Sequence, residues 1–148
     1  PMSDHIDTLK KLHTRLIDSR DGYRESRKQV SDEAAFVGFF DQRIAEREKF
    51  HTELHRQLGV DGVDVSEEGS AAASAHRGWL KLRDAVTGDN EAVYDEIING
   101  ESALVENYDD AIKATAGRPG YEFLTEQRAA VQRAIDEAKA EKARHVAA

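Results

Sequence analysis

The sequence contains no cysteine and, among its 148 residues, only two prolines, one tryptophan and one methionine. Without cysteine the chain can form neither a disulfide framework nor a thiolate metal site, and it has no thiolate nucleophile. Apolar residues nowhere follow one another for the roughly 18 positions that a membrane span needs, and the N-terminus has no apolar leader segment. We therefore expect neither a secreted nor a membrane-spanning protein, and the cytoplasm is the default location.

Basic residues are also too few for some classes of partner. The chain has 21 Lys and Arg against 29 Asp and Glu, which gives a net charge of −8. Nucleic acids and anionic membranes attract basic surfaces, so neither is expected as a partner. Charged residues make up 34% and aromatic residues only 7% of the chain, a balance typical of a helical domain with solvated outer faces. The length favours one domain over residues 1–148.

Apolar residues recur at helical spacing over four long segments. The predicted helices cover about 3–30, 32–58, 90–116 and 120–144, and Gly59 is expected to end the second. About 30 residues separate helices two and three, with a predicted short helix over about 70–86 that would bury Trp79. Such a connection can cross the bundle. The sequence thus predicts an all-α, ferritin-like four-helix bundle in up-down-down-up order.

A glutamate interrupts the apolar face of helix three. Glu101 falls in the middle of that face, and a carboxylate there must be partnered or bind something. Helix two has Arg47 and His51 in its own apolar stripe. Helix one is expected to keep its acids, including Asp18, on the outer side, so arginine is the favoured partner of Glu101.

The antiparallel register predicts two polar layers in the core. The first gathers Arg20, Arg47 and Glu101 beside Ser19. The second gathers His51, Tyr108 and Gln127, and His13 is a further candidate for it. A buried ion pair seldom adds net stability, but it can fix which helices are neighbours, so we interpret these layers as structural.

A metal centre is the alternative interpretation. A di-iron bundle needs inward Glu on two helices and Glu-x-x-His on the other two. Here Glu48 and His51 supply one Glu-x-x-His and Glu101 one lone glutamate, so two of the four parts are present. The residues therefore favour no cofactor, with iron or another divalent metal at Glu48, His51 and Glu101 as the alternative.

A second metal-binding pattern lies on helix two. His51 and His55 have the spacing that can chelate a transition metal on one helix face. His55 lies nearer the surface, and no third ligand is evident from the sequence. The pattern therefore indicates adventitious rather than functional binding.

Several short motifs resemble those of one bacterial family. They are Leu16-Ile17, Arg20-Asp21-Gly22-Tyr23, Arg47-x-x-Phe50, His76-Arg77-Gly78-Trp79, and Gly100-Glu101 with Tyr108. Together they are similar to the ferritin-like four-helix bundles catalogued as domain-of-unknown-function family 2383. The similarity extends from about Ile6 to Lys139, and the His-Arg-Gly-Trp segment is its most specific part.

The resemblance implies a ferritin-like bundle in bacteria, without an established activity and with a loose association with stress-response genes. Members often have a His eight residues beyond the Gln that matches Gln127, whereas this chain has Ile135 there and lacks that potential ligand. We therefore expect a non-enzymatic, stress-associated binding or scaffolding protein. A divergent iron oxidoreductase or iron-handling protein is the alternative. The protein or small-molecule partner is unknown, and pairing into a homodimer is left open.

Overall fold

The computed structural model describes residues 2–30, 32, 36–69, 82 and 90–147. It contains α1 (Met2–Lys28), α2 (Val37–Val60), α3 (Asn90–Ala114) and α4 (Phe123–Ala147). The described residues form no β-strand. The prediction of an all-α four-helix bundle is therefore confirmed. None of the helices in this part of the chain combines the length and apolarity needed to cross a membrane.

Helices joined by the shorter connections are antiparallel. Early residues of α1 lie beside late residues of α2, and α3 and α4 are related in the same way. The contacts that show this are His13 with His55, Tyr23 with Phe40, Tyr108 with Gln127, and Asp95 with Lys142. This is the arrangement expected of short helix-to-helix connections.

Helices α2 and α3 run in the same direction. The Phe36 and Tyr94 rings lie 5.9 Å apart near the two helix starts, and Arg47 contacts Glu101 further along both helices. The directions of α1 to α4 are therefore up, down, down and up. The predicted crossover helix over 70–86, with Trp79, lies outside the described residues except for the helical and fully buried Leu82.

Two apolar clusters divide the core. One surrounds Leu12, Leu54 and Tyr108, and the other surrounds Tyr23 and Phe40. Along α3 and α2, Glu101 and Arg47 lie where one cluster gives way to the other. The charged pair is thus sealed from water by apolar layers on both sides.

Helix α2 starts and ends later than predicted. It begins at Val37 rather than near residue 32, after Phe36, whose buried ring packs near Phe40.

The helix ends at Val60, and Gly62 rather than Gly59 has a positive φ, of 77°. The Val63 amide donates to the Leu58 carbonyl and the Gly62 amide to the Gly59 carbonyl, a Schellman motif. Val63 packs on the core that contains Leu58, which explains this stopping point.

The connection after α2 covers part of α1. Asp18, which we expected on the outer side of α1, is only 2% exposed. A Cβ atom on Gly69 would lie 2.6 Å from Asp18 Oδ1 and 3.3 Å from Ile17 Cγ2. The prediction for Asp18 was wrong because helical periodicity says nothing about a connection that lies over the helix.

Candidate functional site

A buried ion pair joins α2 to α3 at the centre of the bundle. Arg47 Nη1 donates to Glu101 Oε1 at 2.7 Å, and Arg47 Nη2 donates to Glu101 Oε2 at 2.6 Å. Both side chains are fully buried. The two parallel hydrogen bonds match the planar guanidinium to the planar carboxylate, which is the strongest form of such a contact.

We call Arg47 and Glu101 the central pair, and two residues of α1 form hydrogen bonds with it. Ser19 Oγ accepts a hydrogen bond from Arg47 Nη1 at 2.9 Å, and Tyr23 Oη donates to Glu101 Oε1 at 2.6 Å. In the sequence, Tyr23 was noted only as part of the Arg20-Asp21-Gly22-Tyr23 motif. Its ring does lie in the core, but its hydroxyl is the third donor to Glu101. A tyrosine in an apolar stripe often has such a buried partner, which is the signal that could have identified it.

Arg47 keeps its positive charge, and Tyr23 keeps its phenolic proton. Burial by itself opposes the charged form of Arg47, yet the adjacent charge and hydrogen bonds of Glu101 raise the arginine pKa above its ordinary value. Burial, reinforced by the negative charge of Glu101, raises the pKa of Tyr23 well above its ordinary value. Neither Arg47 nor Tyr23 is therefore prepared to exchange a proton near neutral pH.

Arg20 lies outside the layer to which we assigned it. It donates to Glu48 Oε2 at 2.6 Å and to Asp21 Oδ1 at 3.0 Å, at the edge of the α1–α2 interface. Partial burial acts to raise the pKa of Glu48, but the hydrogen bond and charge of Arg20 outweigh it and lower that pKa. An arginine side chain is long enough to reach carboxylates outside the core, so the position of Arg20 on its helix did not predict which residue it contacts.

The residues of the alternative metal site are not gathered around one point. Glu48 is engaged by Arg20, and Glu101 is engaged by Arg47. His51 Nδ1 lies 3.5 Å from Glu48 Oε1, but Glu101 does not join them in any described group of ligand-type atoms close enough to hold an ion.

Tyr108 and Gln127 form a separate polar contact. Tyr108 Oη donates to Gln127 Oε1 at 2.7 Å, and Gln127 Nε2 donates to Glu53 Oε1 at 2.7 Å. These bonds link α3, α4 and α2. His51, which we placed in the same layer, instead faces the connection after α2.

Three histidines and a glutamate form a cluster where the connection after α2 meets α1 and α2. We define the histidine cluster as His13, His51, His55 and Glu67. His13 Nε2 lies 3.1 Å from His55 Nδ1, which lies 2.8 Å from Glu67 Oε1. His51 Nε2 lies 2.6 Å from Glu67 Oε2. His13 and His51 are buried, whereas Glu67 is exposed.

Burial and the neighbouring histidines disfavour a positive charge on His13. The pKa of His13 is lowered to about 4, first by burial and then by the neighbouring His51 and His55. For Glu67, burial acts to raise the pKa, but the hydrogen bond and charge of His51 lower it overall. Glu67 was missed in the sequence because it lies in an irregular connection, where no periodicity indicates which residue turns toward the helices.

An open groove between α2 and α4 has a volume of about 610 Å³. Phe50, Phe123 and Gln127 line it together with lysine, arginine and glutamate side chains. Its charges are of both signs and no set of them converges, so the groove indicates no particular ligand.

The fold and these polar contacts define an all-α four-helix bundle with a charged pair closed inside its core. The family model described as a domain of unknown function (DUF2383) matches residues 4–114 of the chain. That match covers more than half of the sequence, so the chain belongs to the DUF2383 family, as its motifs indicated. The matched region ends at the last residue of α3. Comparisons with curated proteins and with solved structures gave no match.

Proposed function

We propose that this DUF2383 chain is a non-enzymatic binding or scaffolding bundle of the bacterial cytoplasm, active in stress physiology, with a polar layer in the place of a di-iron centre. The observation that carries the proposal is the bidentate contact between Arg47 and Glu101. The link to stress rests on the family resemblance alone.

The Arg47 guanidinium supplies the positive charge that a metal ion would supply in a di-iron bundle. Glu101 accepts two hydrogen bonds from Arg47 and one from Tyr23, so its negative charge is compensated without a metal ion. A metal would have to displace a partner that is held at 2.6 to 2.7 Å and is fully buried.

Within the described part of the chain, other inward carboxylates are scarce. Asp18 is buried, but it lies 3.5 Å from Arg15 Nη1 and under the connection near Gly69. A di-iron centre needs several anionic oxygens from different helices. An iron-dependent oxidoreductase, the alternative, would require Glu101 to leave Arg47 and further carboxylates to enter the core.

Iron binding to chelator-free protein tests this proposal. Wild type and the double variant Arg47→Met/Glu101→Leu are incubated with Fe(II) in air, and bound iron and oxygen uptake are measured. We expect both proteins to bind equal amounts of iron and to consume oxygen no faster than buffer. The double variant is a matched control, because it removes only the central pair and leaves every histidine in place.

Stoichiometric iron with oxygen consumption in wild type, lost in the double variant, would overturn the proposal. Iron held equally by both proteins without oxygen consumption would lie elsewhere in the chain and would not contradict it, whereas oxygen consumption in both proteins would contradict a non-enzymatic role.

A further inference from the structure

The histidine cluster brings together residues from three separate segments. His13 comes from α1, His55 from α2, and Glu67 from the connection that follows α2. One ligand-type atom from each of the three lies within 4.8 Å of the other two. No helical repeat produces this convergence, since it depends on where the connection lies.

These separations are close to those of a tetrahedral metal site. With metal–ligand distances near 2.0 to 2.1 Å, the ligand atoms of tetrahedral zinc are about 3.3 Å apart. The cluster already has His13 Nε2 at 3.1 Å and Glu67 Oε1 at 2.8 Å from His55 Nδ1. Small outward rotations of exposed Glu67 and partly exposed His55 would open the space for an ion.

We propose that His13, His55 and Glu67 bind one divalent transition-metal ion of the zinc class, with His51 as a positioning residue. The site is distinct from the central pair, and the experiments that test it do not depend on the proposed function.

The donor set selects the class of metal. Two imidazoles and one carboxylate suit Zn²⁺, Co²⁺, Ni²⁺ or Cu²⁺, whereas Mg²⁺ and Ca²⁺ prefer oxygen donors. Three protein ligands leave the fourth tetrahedral position to water. The 37% exposure of the His55 side chain and the 55% exposure of the Glu67 side chain give that position access to solvent.

His51 acts through Glu67. An ionised carboxylate only accepts hydrogen bonds, so His51 Nε2 is the donor to Glu67 Oε2 at 2.6 Å. That bond leaves Glu67 Oε1, the oxygen beside His55, free to face the ion. Hydrogen bonds of this kind to ligating carboxylates orient them and increase metal affinity.

Metal binding would fasten the connection to the bundle. Glu67 lies beyond the end of α2 at Val60, and the ion would join it to both α1 and α2. Because only the folded arrangement brings the three ligands together, binding should also stabilise the folded chain.

Zinc titration of the whole 148-residue chain, stripped of metal by a chelator, tests the site. Isothermal calorimetry should give one Zn²⁺ per chain, and the thermal midpoint should rise in Zn²⁺. Glu67→Gln and His55→Gln should each weaken binding at least about 10-fold. Both positions are partly or fully exposed, so these variants should fold. Glu68→Gln is the matched control: it makes the same charge change at the adjacent exposed position and should bind like wild type.

Cobalt spectra test the two roles separately. Co²⁺ should give the intense visible bands of a four-coordinate site, and these should be lost in Glu67→Gln. His51→Leu should weaken Co²⁺ binding without moving the bands, because no ligand is lost. His51→Gln keeps an N–H donor and should recover part of the affinity.

The proposal is overturned if wild type does not bind Zn²⁺ at one ion per chain. It is equally overturned if Glu67→Gln and His55→Gln bind as tightly as wild type, because the ion would then lie elsewhere. Shifted Co²⁺ bands in His51→Leu would show that His51 is itself a ligand.

Discussion

Arg47 is a permanently charged side chain with no exposure to solvent. Taking a guanidinium and a carboxylate out of water costs several kcal/mol for each ion, and their attraction recovers this cost only with good geometry and further hydrogen bonds. The bidentate contact meets that requirement together with two further bonds, one that Arg47 donates to Ser19 and one that Tyr23 donates to Glu101. We therefore propose that the pair acts mainly by fixing which helices become neighbours rather than by adding net stability.

A double-mutant cycle measures the coupling between Arg47 and Glu101. Glu101→Ala should lower the free energy of unfolding by about 3 to 5 kcal/mol, because it leaves a buried guanidinium without compensation. Arg47→Met combined with Glu101→Leu should cost much less than the sum of the single changes. Denaturant unfolding of the four proteins gives the coupling energy.

The exposed pair Arg128 and Asp109 is the control for this cycle. It also joins two helices, but both side chains are more than one-third exposed, so its coupling should be much weaker than that of Arg47 and Glu101. Additive effects of the Arg47 and Glu101 substitutions would contradict the contact between them.

Some site residues could be found from the sequence and others could not. Arg47 and Glu101 interrupt apolar stripes at helical spacing, which places both toward the core whatever their rotamers. Arg20 lies at the margin of its stripe, where side-chain length decides the partner. Glu67 lies outside any helix, so its approach to His51 depends on the path of the connection.

At the scale of the elements, the helices follow from periodicity and the connections do not. The four helices were placed within a few residues, except at the start of α2. The segment over residues 61–69 has no regular repeat, yet it brings Glu67 to the histidines and Gly69 over Asp18. Its position depends on tertiary contacts with α1 and α2 rather than on a repeat in its own sequence.

Gly69→Ala tests whether the connection lies against α1 as closely as the structure shows. The added methyl would lie 2.6 Å from Asp18 Oδ1, and Asp18 is buried with little room to move. We expect the free energy of unfolding to fall by about 1 to 3 kcal/mol, as for other overpacked sites. Thermal or urea unfolding followed by circular dichroism measures the change.

Gly38→Ala serves as the control for this substitution. Gly38 lies in α2, and an added Cβ there would meet no atom within 4 Å. Alanine favours helix by up to about 1 kcal/mol over glycine, so stability should be unchanged or higher. If Gly69→Ala behaved in the same way, the close approach to Asp18 would be refuted.

At the scale of the whole molecule, all four tyrosines are removed from water. Tyr23, Tyr94, Tyr108 and Tyr121 belong to the two apolar clusters that fill the bundle. Burial is the largest cause that raises the pKa of each above the ordinary value of 10. For Tyr121, the hydrogen bond to Asp61 raises the pKa further. The folded protein therefore keeps these protons at pH values where an unfolded chain releases them.

Alkaline titration should consequently unfold the bundle as its tyrosines ionise. Above pH 10 the unfolded state binds fewer protons than the folded state, so stability falls as the pH rises. We expect the ultraviolet absorbance of tyrosinate to stay low until the helical circular dichroism signal is lost, and then to rise in the same transition. In concentrated guanidinium chloride, the control, tyrosinate should form near pH 10, as in model compounds. Tyrosinate absorbance that rises near pH 10 while the helical signal is intact would show that water reaches the phenols of the folded bundle, and that its apolar clusters are not closed around the central pair.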